Sequence, residues 1–146
     1  MSEATVRSGV YTALAGISDI GKVYDYRRFN ANYAEFLNLF KATIDGADQV
    51  RGWQISRKSG REDDSSVKTH IFRIEGFFGL SDANATEKTF NALIESVAAA
   101  FRANKTLSGA ALGHDFIQAA IIEERVFGSV LCHFCELNVT VYDHNP

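Results

Sequence analysis

The dipeptide Gly128-Ser129 divides the apolar C-terminal stretch Phe116 to Tyr142 into two segments. Gly at the first central position of a two-residue loop favours a type II′ turn, whose twist matches that of antiparallel strands. The pattern therefore predicts a β-hairpin. A loop of this length fixes the register and predicts these cross-strand pairs: Phe127 with Val130, Arg125 with Cys132, Glu124 with His133 and Ile122 with Cys135.

The two faces of this hairpin differ in composition, because side chains alternate along a strand. The face predicted to be core is almost entirely apolar: Phe116, Ala120, Ile122, Val126, Leu131, Cys135, Leu137, Val139 and Val141. The opposite face mixes apolar and charged residues: Ile117, Ile121, Glu123, Arg125, Phe127, Val130, Phe134, Glu136, Asn138 and Thr140. Such a face is too charged for a core and too apolar for water. We favour a contact with another chain there, and a helix of the same chain lying over it is the alternative.

Length and composition predict one packed domain, residues 1–146. Hydrophobic residues make up 46% of the chain, which indicates a globular domain rather than disorder. The net charge of −3 argues against a domain that neutralises nucleic-acid phosphates. No apolar run is long enough for a membrane span and the N-terminal residues lack a signal-sequence pattern, so we expect a protein made in the cytosol with reduced cysteines.

Helical and strand periodicities alternate along the rest of the chain. They predict a first helix over 4–14, with Val6, Val10 and Leu14 inward and Gly16 as its stop, followed by a strand over 22–26. A second helix is predicted to be capped by Asn32 with Glu35 and to end by Gly46, and strands are predicted over 50–57 and 67–78. A third helix is predicted to be capped by Asn84 with Glu87 and to end at Asn104. The polar connector 58–66 is predicted to be an exposed, mobile loop that projects from the sheet.

These elements predict an α+β, α/β sandwich-like fold in the order α-β-α-β-β-α-β-β. The strands are largely joined in hairpins, which favours a mainly antiparallel or mixed β-sheet of about four to five strands with helices packed on one face.

The residues that could carry chemistry do not form a recognisable catalytic pattern. Cys132 and Cys135 are three apart on a strand and point to opposite faces, so we expect two small hydrophobes rather than a metal or redox pair. Two glycine spacings, 76–79 and 109–113, lack the Lys-Ser/Thr of a phosphate loop. We therefore predict no enzyme activity, no catalytic residue, no cofactor and no metal.

The histidines support the same conclusion. His70 and His114-Asp115 have no serine in a nucleophile-elbow context to act on. Glu124 opposite His133 is the one notable polar pair on the otherwise apolar hairpin face. We interpret it as a structural ion pair at a subunit boundary rather than an acid–base pair.

Four segments carry a resemblance to a known family. They are, in order, DIGKVYDYRRF (19–29), VRGWQISRKSGRE (50–62), ATEKTFNALIESVAAAFRAN (85–104) and IEERVFGSVLCHFCELNVTVYD (122–143). Together they resemble the small tail-terminator, or tail-completion, proteins of long-tailed bacteriophages, a head–tail joining family. The resemblance spans most of the chain. It lies in the order of the segments and in their local amino-acid sequence rather than in a chemical motif.

The resemblance implies a structural virion protein made in the host cytoplasm. It implies a homo-oligomeric ring, usually hexameric, on the last tube ring at the head-proximal end of the tail. The ring would stop growth of the tail-tube protein and offer a docking surface to the head–tail connector protein, while DNA passes through its lumen without specific binding. The alternatives are another neck or tail-tube ring subunit, or a dimeric α+β small-molecule-binding module with a cavity lined by Trp53, Tyr24 and Tyr26.

This interpretation of the sequence predicts two surfaces that contact other protein chains. The subunit interface is predicted at Ile121, Glu123, Arg125, Phe127 and Phe134. The contact with the tube or the connector is predicted at Tyr24, Tyr26, Arg27, Arg28, Arg57, Lys58, Arg61, Glu62, Asp63 and Asp64.

Overall fold

Three long antiparallel strands form the centre of a seven-stranded mixed sheet. The computed structural model describes residues 2–144, with only the backbone of Ala34. In chain order the helices and strands are α1 (Glu3–Ala15), β1 (Lys22–Tyr24), α2 (Tyr33–Asn38), β2 (Lys41–Ile44), β3 (Ala47–Glu62), β4 (Val67–Gly79), α3 (Thr86–Arg102), β5 (Gly113–His114), β6 (Gln118–Phe127) and β7 (Val130–His144).

Strand β4 lies in the middle, between β3 on one side and β7 on the other. Outside β3 lie β1, which runs parallel to it, and β2, which is antiparallel. Outside β7 lie β5 and β6, both antiparallel. The α+β class and the mixed sheet agree with the prediction, but β2 and β5 are two strands that the predicted order does not contain.

The predicted hairpin register is confirmed from Phe127 with Val130 to Ile122 with Cys135. Gly128 has φ 64, the sign that a type II′ turn requires at its first central position. A bulge then leaves Ala120 unpaired, because the register moves from Ala119 opposite Leu137 to Ile121 opposite Glu136. The faces predicted for the residues before the bulge are therefore wrong.

The helices lie on both faces of the sheet, not on one. On the α1/α3 face, helices α1 and α3 cover the core that contains Trp53, Phe72 and Leu137. On the α2 face, the short helix α2 and the residues after it cover a second cluster that contains Phe77 and Phe134. Both faces of the central strands are buried, because α1 and α3 cover one face and α2 with the residues after it covers the other.

The α1/α3 face holds the larger core. The helix residues buried there are Val6, Val10 and Leu14 of α1 and Phe90, Leu93, Ile94, Val97 and Phe101 of α3. The predicted stripe of α1 and its stop at Gly16 are confirmed.

Two local features differ from the predicted pattern of helices and turns. Helix α2 is short because Lys41–Ile44 forms β2, which turns through Asp45-Gly46 back into β3. Asp45 and Gly46 have φ 51 and 80, the signature of a type I′ turn. The predicted cap by Asn84 is wrong, because Asn84 lies in a 3₁₀ turn and its side-chain amide donates to Ser81 Oγ.

The predicted polar loop 58–66 is mostly strand. Strand β3 continues to Glu62, which pairs with Lys68, so only a tight turn separates β3 from β4. Asp63 closes this turn, since its Oδ1 accepts from the Ser65 backbone N–H at 2.9 Å and from the Val67 N–H at 3.2 Å. These hydrogen bonds, together with that from the Ser65 hydroxyl, which contributes most, lower the pKa of Asp63.

We expect Gly76→Ala to destabilise the fold. A Cβ at Gly76 would lie 2.5 Å from Trp53 Cζ3 and 2.8 Å from Cys135 Sγ. The Trp53 indole is fixed, because its Nε1 donates to the Ile20 carbonyl at 2.8 Å. Overpacking of this kind costs about 1–3 kcal/mol, which urea unfolding would measure.

Gly79→Ala is the matched control on the same strand. Its Cβ would meet no atom closer than 3.7 Å, so we expect a change of less than about 0.5 kcal/mol. Equal stability of the two variants would contradict the tight packing at Gly76.

Candidate binding groove

An open groove of about 320 Å³ crosses the α2 face of the sheet. One wall is the segment 27–30 that follows β1, the second is α2, and the third is the β6–β7 hairpin. Its lining residues are Arg27, Arg28, Phe29, Asn30, Tyr33, Phe36, Gln54, Glu75, Phe77, Arg125, Phe127 and Phe134.

Aromatic rings form the floor of the groove. Phe36 of α2 stacks on Phe127 of the hairpin with ring centroids 6.0 Å apart, and it meets Phe77 of β4 edge to face at 5.4 Å. Phe77 also contacts Phe134 at 5.5 Å. These contacts connect α2 to the hairpin through Phe77 of the central strand β4, so the walls of the groove are held at a fixed spacing.

Gly52 allows the chain after α2 to pack closely on β3. A Cβ at Gly52 would lie 2.7 Å from Phe40 Cβ and 3.0 Å from its Cα. Phe40 in turn contacts Phe77 with ring centroids 4.5 Å apart. The missing side chain at Gly52 therefore sets how deeply the α2 segment sits on the sheet.

A buried polar pair lies beneath the arginines. Glu75 is 6% exposed and Gln54 is 2% exposed, and the Gln54 amide donates to Glu75 Oε1 at 3.2 Å. Gln54 Oε1 accepts from the Arg28 backbone N–H at 2.9 Å. Arg27 Nε lies 3.7 Å from Glu75 Oε1. Because buried polar groups must find partners, this network fixes the segment after β1 against the sheet.

Three arginines stack on aromatic rings around the groove. The Arg27 guanidinium lies over Phe29 at 5.5 Å, and that of Arg28 lies over Tyr24 at 4.6 Å and over Tyr26 at 5.3 Å. A stacked guanidinium keeps its N–H edge available for hydrogen bonds to an anion.

The third arginine, Arg125, comes from the hairpin and lies over the Phe134 ring at 3.7 Å. Its Nε donates to Glu123 Oε1 at 2.5 Å. Arginines from two distant parts of the chain, Arg27 and Arg28 on one side and Arg125 on the other, therefore meet around the same groove.

The groove joins residues that the sequence assigns to two separate surfaces. Arg27 and Arg28 belong to the predicted tube or connector contact, whereas Arg125, Phe127 and Phe134 belong to the predicted subunit interface. Phe134 is 1% exposed in the protomer, because the ring is covered by its own chain. The predicted subunit interface itself stays a prediction. The mixed hairpin face is partly covered by α2 of the same chain, which was the alternative interpretation.

The remaining predicted contact residues lie away from the groove or at its margin. Tyr24 is partly buried, and its hydroxyl donates to the Leu39 carbonyl at 2.6 Å, whereas Tyr26 is 52% exposed. The rest occupy the exposed end of the β3–β4 pair: Arg57, Lys58, Arg61, Glu62, Asp63 and Asp64. Ile121 and Glu123 lie on the groove side of β6, and Glu123 is exposed.

The opposite face of the hairpin is exposed at its tip although the sequence predicts core there, whereas Cys135, Leu137, Val139 and Val141 of the same predicted face are buried. Ile122 is 47% exposed, Val126 65% and Leu131 46%. Helix α3 begins at Thr86 beside His133, so no helix of the described chain lies over the hairpin tip. Phe116 and Ala120, predicted on the same core face, are also exposed. Alternation placed Ile122, Val126 and Leu131 on one face but could not say that the helices end before reaching them.

The predicted small-molecule cavity is not formed by its predicted residues. Tyr24 is paired with Gln54 and lies on the α2 face, whereas Trp53 packs on the α1/α3 face against Phe90. The sheet therefore separates Trp53 from Tyr24.

Both cysteines are buried free thiols on opposite faces of the sheet. Burial raises the pKa of the Cys132 thiol and that of the Cys135 thiol. Residues 2–144 contain no group of three or more His, Cys, Asp and Glu side chains arranged to hold a metal ion.

We expect both thiols to react slowly with Ellman's reagent in the folded protein. At about pH 8 an ordinary thiol is partly ionised, whereas a raised pKa keeps these two protonated and burial excludes the reagent. Unfolding in guanidinium should release both at the rate of a free thiol. Rapid reaction of either cysteine in the native protein would contradict this environment.

The histidines are held by structural contacts. His133 Nε2 lies 2.9 Å from Thr86 Oγ1 and its ring stacks on Phe90, and the predicted ion pair with Glu124 is not formed in the described chain. His70 Nε2 lies 3.2 Å from Asp143 Oδ2 inside the core.

No protein-family model matches this chain, and no curated protein matches it. None of the helices in residues 2–144 is long and apolar enough to cross a membrane.

Proposed function

We propose that this protein is a structural virion component that forms a ring at the head-proximal end of a phage tail, where it terminates tail-tube polymerisation and provides the docking surface for the head connector. The sequence resemblance is the source of this proposal. The uncovered apolar face of the β6–β7 hairpin is the observation that supports it most directly. An exposed apolar face is stabilised when another chain covers it, and in a ring that chain is the next copy.

The hairpin tip has two properties of a self-association surface. Ile122, Val126 and Leu131 are each about half exposed on one face. Strand β6 also pairs only with β7 in the described chain, so its outer edge carries unpaired backbone groups. A free edge beside an apolar face favours pairing with another chain unless something covers it.

The position of the hairpin allows a head-to-tail contact between copies. It lies at one edge of the sheet, and β1 and β2 lie at the other. A contact between the hairpin of one copy and a different surface of the next is head-to-tail, and such contacts close into rings when the rotation allows. In this arrangement DNA passes through the lumen without specific binding.

The strength of this contact should be modest. Covering three half-exposed aliphatic side chains contributes roughly 3 kcal/mol, whereas association costs at least about 4 kcal/mol of lost freedom. Strand pairing and further contacts have to supply the rest. We therefore expect assembly that depends strongly on protein concentration and that a tail tube would promote.

Two other functions fit particular observations. Another neck or tail-tube ring subunit would use the same self-contact. A dimeric small-molecule-binding module is favoured by the groove, since a volume of about 320 Å³ lies within the range of ligand pockets. In that case the hairpin edges of two copies would pair symmetrically.

The proposal is tested by native mass across a concentration series, with electron images of the same samples. We expect a closed ring with an open centre at high concentration. A compact dimer with a co-purified ligand would favour the binding module, and a monomer at every concentration, with or without tail tubes, would contradict a ring component.

Val126→Asp combined with Leu131→Asp should abolish ring formation, because two carboxylates on the apolar face cannot be buried in a contact. Leu112→Asp is the matched control, since Leu112 is 48% exposed and lies beside Tyr142, at the end of β7 far from the hairpin tip. It should assemble normally. Thermal unfolding of both variants as monomers would confirm that the protomer still folds.

A further inference from the structure

We infer that the groove on the α2 face binds an acidic, extended segment of a partner protein, one that carries an aromatic or aliphatic side chain between its carboxylates. As a docking site within a virion the inference rests on the proposed function. Binding of a peptide by the protomer, however, can be measured whether or not rings form.

The charge around the groove is the first reason. Arg27, Arg28 and Arg125 line it, and Glu75 is the one acidic residue among the lining residues described. The Glu75 carboxylate is already paired with Arg27 and accepts a hydrogen bond from the Gln54 amide. Arg27 is paired with Glu75 and Arg125 with Glu123, so among the described lining residues Arg28 is the cation without a carboxylate partner. The groove therefore carries a positive charge in a protein whose net charge is −3, and an acidic partner complements it.

The hydrogen-bonding state of the arginines is the second reason. In residues 2–144 the Arg28 guanidinium makes cation–π contacts but has no hydrogen-bond acceptor. Arg125 uses its Nε for Glu123 and leaves its two terminal nitrogens without an acceptor in the described chain. Guanidinium groups oriented by stacking, with free N–H forks, suit bidentate binding of carboxylates.

The apolar surface between the arginines is the third reason. Phe29 is 79% exposed and Tyr33 is 61% exposed, on either side of the groove, and Phe127 is half-buried at its floor. An aromatic or aliphatic side chain of the partner can pack between these rings while its neighbouring carboxylates reach the arginines. Aromatic and Arg anchors of this kind are typical of the residues that dominate binding energy.

A peptide fits the groove better than a nucleic acid. The exposed Glu123 carboxylate beside Arg125 would repel a continuous phosphate backbone, whereas a peptide can place its carboxylates only where the arginines are. The acidic balance of the whole chain also opposes non-specific binding to nucleic acid.

The test uses a fluorescein-labelled synthetic peptide in which Asp and Glu alternate with Leu and Phe, titrated with the full chain by fluorescence anisotropy. A peptide with Asn and Gln in place of Asp and Glu is the control ligand. We expect the acidic peptide to bind, its affinity to fall as salt is raised, and the neutral peptide to bind much more weakly. Equal binding of the two peptides, or no binding of the acidic one, would overturn the inference.

Two substitutions locate the binding. Arg28→Gln and Arg125→Gln should each weaken binding about tenfold, the loss expected for one charge-assisted hydrogen bond. Arg61→Gln is the matched control, because Arg61 is exposed at the far end of the β3–β4 pair. It should bind as the unmodified chain does. An equal loss in all three variants would indicate non-specific charge attraction and overturn the inference.

Two further outcomes identify a different occupant. If a single-stranded oligonucleotide displaces the peptide at lower concentration than unlabelled peptide does, the groove is a nucleic-acid site. If Arg28→Gln reduces self-association instead of peptide binding, a second copy of the chain occupies the groove. Either result would overturn the inference of an acidic partner segment, and neither would by itself decide whether the chain forms rings.

Discussion

The burial of the central strands on both faces is the constraint on which the rest of the structure depends. Strand β4 pairs with β7 over its full length, from Val67 opposite His144 to Gly79 opposite Cys132, and the side chains of the two strands enter one core under α1 and α3 and a second under α2. The larger core stops where α3 begins, beside His133. The hairpin tip beyond that point keeps its strand pairing but has no cover on one face, and this end of the sheet is where we place the contact between copies.

The two proposed contacts share one strand. Arg125 faces the groove, and its neighbour Val126 faces the uncovered side, because adjacent residues of β6 point in opposite directions. A second copy bound to the uncovered face would hold β6 in place, and β6 carries one wall of the groove. The two proposed contacts therefore use opposite faces of β6 and do not compete for the same side chains.

Local signals in the sequence predicted much of the fold. Gly128-Ser129 gave the hairpin register, and the spacing of Val6, Val10 and Leu14 gave the buried face of α1. The Asp45-Gly46 dipeptide carries an equally clear turn signal, which indicates a hairpin and therefore the strand β2 before it. The bulge at Ala120 has no such signal, because nothing in the residue itself marks where a register shifts.

The groove was harder to predict, because it depends on which side of the sheet each helix covers. Alternation sorts residues into faces but does not say where a covering helix stops. Phe134 and Val126 show both consequences, since Phe134 of the mixed face is buried under α2 while Val126 at the tip of the apolar face is 65% exposed. Arg28 and Arg125 line the same groove although their segments are far apart in the chain and β1 and β6 lie at opposite edges of the sheet, so their proximity depends on the path of the chain across the α2 face.

Hydrogen–deuterium exchange of the β6 amides, followed as protein concentration is raised, tests the central claim most directly. Strand β6 has a free outer edge in the protomer, so some of its backbone N–H groups should exchange quickly in dilute solution. If the hairpin is the contact between copies, these amides should become protected at the concentrations where the native mass increases. An increase in mass with unchanged exchange in β6 and new protection elsewhere would show that the copies meet through another surface.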